Sequence, residues 1–252
     1  LYLDSLSKEV YQSISLINFD LVLETILLKE FKSILKEYID IYLDANYLNN
    51  YLTITGIDIS KLNIIYRIGF IYIIELIPLI GLILIYKKDL KKDLNDFKPN
   101  IEKYADKYIK YWLLGIFLMG IANIIISTIT KTDNSSNETA IREITKILPI
   151  YSIMSTCIVA PIAEELAFRK TVNNIFINKK LSIFMGFLLF GLAHVVGTYS
   201  GLLDLLYIIP YGILGGIFMY IYTDSENIFT TITLHFIHNT ILMILYFISG
   251  AV

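Results

Sequence analysis

From Leu181 to Val252 the chain carries no lysine or arginine, and its only acids are Asp204, Asp224 and Glu226. About seventy residues with so little charge cannot hold an ordinary water-facing surface and must be solvated by lipid. The rest of the composition points the same way: 56% of the 252 residues are hydrophobic, 17% are charged and the mean hydropathy is +0.63. Such a chain is expected to be all-α, a polytopic membrane helix bundle. A formal net charge of -2 and the absence of a basic stripe with interleaved aromatics argue against a nucleic-acid partner. The single cysteine, Cys157, excludes an intramolecular disulfide and a thiolate cluster, and reads as a small apolar packing residue.

About 20 mostly apolar residues at about 1.5 Å rise cross a bilayer core of about 30 Å. Six stretches meet that demand: 63–86, 108–130, 147–168, 181–199, 202–222 and 228–248. The first contains Arg67, Glu75 and Pro78, so its boundary is the least sharp. Residues 1–62 alternate apolar and charged positions at helical spacing and are expected to form amphipathic helices on or beside the membrane. No secretory signal pattern is recognisable, and the missing initiator Met points to a truncated or processed start. The transmembrane domain is thus expected over 63–252.

Basic residues set the expected orientation. The stretch Lys87 to Lys107, read as a loop, holds seven lysines, and the turn after the third span holds Arg169, Lys170, Lys179 and Lys180. The alternate loop, Lys131 to Lys146, holds only Lys131, Arg142 and Lys146, so the richer side is assigned to the cytoplasm. The polar run from Asp133 to Asn137 then lies outside.

Charge inside the apolar half is concentrated at Glu164, Glu165 and Arg169. Charged groups at membrane depth are costly and read as functional. Glu165 and Arg169 are four apart and can pair on one helix face, while Glu164, rotated by about 100°, is left without a partner in its own helix. Pro161 removes a backbone donor one turn earlier and can kink the helix beside the carboxylates. All three histidines lie in this half: His194 among small residues in Phe190-Gly191-Leu192-Ala193-His194, and His235 and His238 in His235-Phe236-Ile237-His238-Asn239. His235 and Asn239 share a face. His238 is turned away from Asn239 and reads as a structural hydrogen-bonding residue, Phe190 as packing, and Gly212, Gly215 and Gly216 as a close-packing seam.

In order, Glu164-Glu165-x-x-x-Arg169, Phe190-x-x-x-His194 and His235-x-x-x-Asn239 resemble the motifs of the CAAX-processing and bacteriocin-processing (Abi) intramembrane endopeptidases, which include the type II CAAX prenyl proteases. The resemblance spans 108–248. It implies that Glu164 activates water, that His194 helps hold it, that His235 and Asn239 donate to the oxyanion, and that Glu165 and Arg169 shape the site. The residues support this chemistry independently, because amide hydrolysis needs a base within reach of water and donors aimed at the developing oxyanion. No side chain is an obvious nucleophile.

Glu164, His194 and His235 could instead ligate zinc. The contiguous His-Glu-x-x-His signature is absent and Asn239 is a poor zinc ligand, so a metal-free reaction with no cofactor is preferred. The expected protein is a multi-pass endopeptidase of a bacterial membrane, with its site toward the cytoplasmic side, cutting a membrane-associated peptide or protein tail. The bacterial assignment follows from abundant Ile, Lys, Asn and Tyr, which suit an AT-rich genome. The alternatives are a non-enzymatic peptide-binding or immunity protein and, behind it, an ion or proton transporter.

Overall fold

The computed structural model describes residues 64–249, apart from 133, 177 and 200. The amphipathic helices expected in 1–62 lie outside the described residues. The chain divides into two compact units at Ile77 and Pro78. Helix α1, Ile64–Ile85, crosses that division, and the site lies wholly in the second unit.

The described residues are helical throughout, as expected. After α1 come α2 (Lys87–Thr130), the short α3 (Ser136–Ile147), the composite α4 (Pro149–Ile175), α5 (Lys179–Val196), α6 (Ile208–Ser225) with a 3-10 entry turn at Leu202–Tyr207, and α7 (Ile228–Ile248). Five of these, α2 and α4 to α7, are long and apolar enough to cross a membrane, and Leu76–Ile85 in α1 is a shorter apolar stretch. Phe117, Ile124 and Ile125 on α2, and Leu245 and Ile248 on α7, are exposed. In a bilayer such residues face lipid, while every helix keeps its backbone bonds internal.

Two stretches read from sequence as loops are helices. The lysine-rich segment 87–107 is the first half of α2. Its seven lysines are exposed, while its inner side buries Asp93 and Phe97. Asn227, just ahead of α7, donates from Nδ2 to the Asp93 carbonyl at 2.7 Å and to Asp96 Oδ2 at 2.9 Å. Asp93 Oδ2 accepts from the Ile228 N–H at 3.3 Å. Lysine density marked the end of the apolar run, not the end of the helix. Within 131–146, α3 begins at Ser135, whose hydroxyl accepts the Glu138 N–H at 3.1 Å, an N-cap that the sequence reading passed over.

The expected third span extends to Ile175 and contains two π-helical turns, Met154–Val159 and Leu166–Thr171, on either side of the α-helical Ala160–Glu165. The first ends just before Pro161. The kink expected from that proline therefore takes the form of a π turn, a common cause of local bending.

Helices α5 and α6 meet along their glycines. A Cβ on Gly215 would lie 2.6 Å from the Gly186 carbonyl, one on Gly191 2.5 Å from the Ile208 carbonyl, and one on Gly212 2.9 Å from the Phe187 carbonyl. Backbone cannot move aside as a side-chain tip can, so this contact demands hydrogen at those positions. Nearby, Tyr108 and Trp112 of α2, Phe218 and Ile221 of α6 and Leu234 of α7 form the central apolar cluster. Cys157 is buried against Met243 and Tyr246, in keeping with its packing role.

Gly215→Leu is expected to lower the thermal unfolding midpoint of the detergent-solubilised protein by several degrees or abolish folding, whereas Gly120→Ala, with nothing within 4 Å of its Cβ, leaves the midpoint within about a degree. Fluorescence-detected size exclusion after a temperature series measures both.

Candidate active site

The two adjacent acids of α4 have opposite environments. Glu165 is fully buried. Its Oε2 lies 3.1 Å from Arg169 Nε one turn on, and its Oε1 accepts from His235 Nδ1 of α7 at 2.9 Å. Arg169 is itself fully buried, its guanidinium 4.4 Å from the centroid of the Phe190 ring and 5.6 Å from that of Phe218. Stacking between two aromatic faces suits a planar, weakly hydrated cation. Arg169 thus serves as the partner of Glu165 and not as a surface anchor. Phe190, read as packing, forms one wall of this arrangement and touches three functional groups: Arg169, His194 at 4.3 Å and His235 at 6.1 Å between centroids.

Glu164 is a quarter exposed and lines a cavity of about 470 Å³. His194, His235 and Asn239 line the same cavity. Glu164 Oε2 is buried and makes no hydrogen bond among the described residues. It lies 3.8 Å from His194 Nε2 and 3.9 Å from His235 Nε2, too far for direct hydrogen bonds and suited to a bridging water. The six site residues therefore divide into a closed group, Glu165 with Arg169, and a cavity-facing group, Glu164 with His194 and Asn239, with His235 shared between them.

Both imidazoles are oriented from behind. His194 Nδ1 donates to the Phe190 carbonyl at 2.9 Å, and His235 Nδ1 donates to Glu165. In the neutral rings this leaves the Nε2 lone pairs toward Glu164. Histidines that bind a metal are oriented the same way. Glu164, His194 and His235 thus have suitable donor types for zinc, although no group of three His, Cys, Asp or Glu among the described residues is arranged to hold a metal ion.

Asn239 donates from Nδ2 to the Thr156 carbonyl at 2.8 Å. His238 is buried with its ring edge-on to Trp112, 6.4 Å between centroids. The expected structural hydrogen bond is thus replaced by a ring contact. Sequence reading missed Tyr211, whose ring stacks on His194 at 4.6 Å and 23° and whose hydroxyl meets Ser135 Oγ at 2.8 Å and Asn137 Nδ2 at 3.2 Å. Its position between Pro210 and Gly212 was the available signal, but one tyrosine among 19 carries little weight.

The cavity runs from Glu164 toward the C-terminal half of α2, the helix α3, and the start of α6, where Asn123, Asn137, Arg142 and Tyr207 line it. The lysines gather at the other end of the bundle. There Lys107 and Lys179 pair with Asp224 at 2.8 and 3.3 Å, and Lys170 bridges Asp89 and Asp93 at 3.4 and 3.6 Å.

Removing one partner of a buried ion pair costs more than removing both. Arg169→Met is expected to destabilise the protein by about 3–5 kcal/mol, and Glu165→Gln combined with Arg169→Met by less than Arg169→Met alone. Unfolding midpoints of the two variants and the parent, read in one detergent, check the order.

Residues 146–241, which carry Glu164, Glu165, Arg169, His194, His235 and Asn239, match the family model described as type II CAAX prenyl endopeptidase Rce1-like. YdiL of Bacillus subtilis (strain 168), whose name describes a membrane peptidase, is 26% identical over 189 residues, covering 73% of this chain and 74% of YdiL. The UPF0177 protein YxdF of Lactococcus lactis subsp. lactis (strain IL1403) is 28% identical over 131 residues, covering 50% of this chain and 70% of YxdF. No solved structure matches the chain. With five candidate spans around the matched segment, the chain is a membrane-embedded protease that over residues 146–241 is similar to the Rce1-like type II CAAX prenyl endopeptidases.

Proposed function

We propose that the protein is an endopeptidase that hydrolyses a peptide bond of a membrane-associated peptide or protein tail by water activated at Glu164, without a metal or other cofactor. The observation that carries this reading is Glu164 Oε2, buried, without a hydrogen bond among the described residues and 3.8 to 3.9 Å from two histidine nitrogens. A water in that space gives one proton toward Glu164 and the other toward the His194 Nε2 lone pair, and its own lone pair then faces the cavity. As it attacks the carbonyl carbon, its proton passes to Glu164 and the carbonyl oxygen becomes an oxyanion. His235 can donate to that oxyanion from Nε2 once both its nitrogens are protonated, and Glu165 on Nδ1 is the counter-charge for that form. Collapse expels the amine, which takes the proton back from Glu164.

Because Glu165 is already engaged with Arg169 and His235, it supports the site and does not act as the base. The orientation of the two histidines favours zinc as the second reading. Binding without cleavage, as in an immunity protein, is the third. Glu164→Gln keeps the shape and removes the base, so cleavage is expected to fall by a factor of about 10² or more with the unfolding midpoint unchanged. Mass spectrometry of a membrane-peptide panel incubated with both forms, repeated after chelation, decides among them. Activity lost on chelation and restored by zinc would favour the metal, and full biological activity in Glu164→Gln would favour binding.

The lysine-rich end and the cavity lie at opposite ends of the bundle. Under the positive-inside bias the lysines face the cytoplasm, so the cavity opens toward the other face. On this reading the carboxylates stand toward the lysine end, and substrate enters from the opposite side. In a Cys157→Ser background, Asn137→Cys is expected to react with an impermeant maleimide in intact cells, and Lys103→Cys only after lysis. The reverse pattern would return the mouth to the cytoplasm.

A further inference from the structure

The geometry points to Asn239 as the residue that holds the bend beneath Glu164, its side-chain amide standing in for the backbone N–H that Pro161 lacks. In the π turn Met154–Val159 each N–H reaches back five residues, and the last bond of that kind runs from Ala160 N–H to the Ser155 carbonyl. The next would run from residue 161 to the Thr156 carbonyl. Residue 161 is proline, with no proton to give. The Thr156 carbonyl is reached instead by Asn239 Nδ2, at 2.8 Å, from the neighbouring helix α7. The π turn is therefore closed in part by another helix.

This matters for Glu164, which follows Pro161 by three residues in the α-helical segment Ala160–Glu165. A π turn adds one residue to the helix, and one residue is about 100° of rotation for everything beyond it. If the Thr156 carbonyl loses its donor, relaxation of the turn toward α-helical register rotates Glu164 away from the two Nε2 atoms. Asn239 is on this account a positioning residue acting through the backbone of α4. The same turn of α7 also carries His235, so one helix fixes both the bend and the histidine that faces it.

A double-substitution cycle separates this role from direct donation to the oxyanion. Pro161→Ala restores an N–H at position 161, which can complete the Thr156 bond without Asn239. In the parent, Asn239→Ala is expected to lower kcat by about tenfold or more with KM changed less than about threefold, and to lower the unfolding midpoint by several degrees. In Pro161→Ala, the same change is expected to cost less than about threefold in kcat and about a degree or less. Asn239→Leu, of similar size but without a donor, is expected to behave as Asn239→Ala in the parent. Should Pro161→Ala fail to fold, Pro161→Ser supplies the same N–H. Equal losses from Asn239→Ala in both backgrounds would overturn the proposal. The catalytic arm rests on the protease reading, whereas the midpoint arm needs no substrate; with no cleavage by the parent, the protease reading fails and the midpoint comparison still decides this one.

Discussion

The site rests on one fully buried ion pair, Glu165 with Arg169, and on the histidine that shares the carboxylate. Two charges without solvent contact would each carry a large desolvation cost, and their mutual attraction offsets it only where geometry and neighbours are favourable. Here the neighbours come from four helices. The acid and the arginine belong to α4, the imidazole to α7, and the aromatic faces to Phe190 of α5 and Phe218 of α6. Separating any one of these helices leaves a charge or a ring without its counterpart. A single electrostatic contact thus ties four helices together at the depth where the reactive groups are held.

That arrangement also explains why two adjacent glutamates are useful where one would not be. Successive helical residues point about 100° apart, so one acid can be committed to the protein interior while the next faces the cavity. Glu165 fixes the His235 ring by accepting at Nδ1, which determines what Nε2 presents to Glu164. Glu164 itself lacks any hydrogen bond to its Oε2 among the described residues, which is the condition that its proposed role as a base requires. His194 is restrained in the same manner by the Phe190 carbonyl and the Tyr211 ring, so neither imidazole is free to turn.

Much of this was legible in the sequence, for identifiable reasons. Apolar runs of membrane length, the i to i+4 spacing of Glu165 with Arg169 and of His235 with Asn239, and the glycines of α6 all report local geometry, which residue spacing encodes. The convergence of Glu164, His194, His235 and Asn239 on one cavity is not local; the concentration of polar groups in three apolar stretches and the family resemblance suggest it, but spacing within a helix does not encode it. The charged half of α2 was read as a loop because charge ends a membrane span, yet a helix that leaves the bilayer may keep its backbone bonds and bury one side, as Asp93 and Phe97 do. Tyr211 had no distinguishing spacing. The π turns have no sequence signature beyond Pro161, and their partner, Asn239, lies 83 residues from the carbonyl it caps.

The two ends of the bundle have different physical tasks. At the lysine end, Lys170 between Asp89 and Asp93, Asn227 on Asp93 and Asp96, and Asp224 with Lys107, Lys179 and Tyr108 join α2 to α4, α5, α6 and the start of α7 through polar contacts. At the cavity end, the contacts include Ser135 and Asn137 on Tyr211, Thr132 on Tyr207, Ser136 on Asp204, and the Glu138 to Arg142 pair within α3. The cavity is bounded at that end by α3, whose contacts are separate from the Glu165 to Arg169 pair. Tyr211 connects the two regions, since the hydroxyl that holds the start of α3 and the ring that lies on His194 belong to one side chain. A displacement of α3 would therefore reach His194 through Tyr211, while the Glu165 to Arg169 pair belongs to α4 and makes no contact with α3 among the described residues.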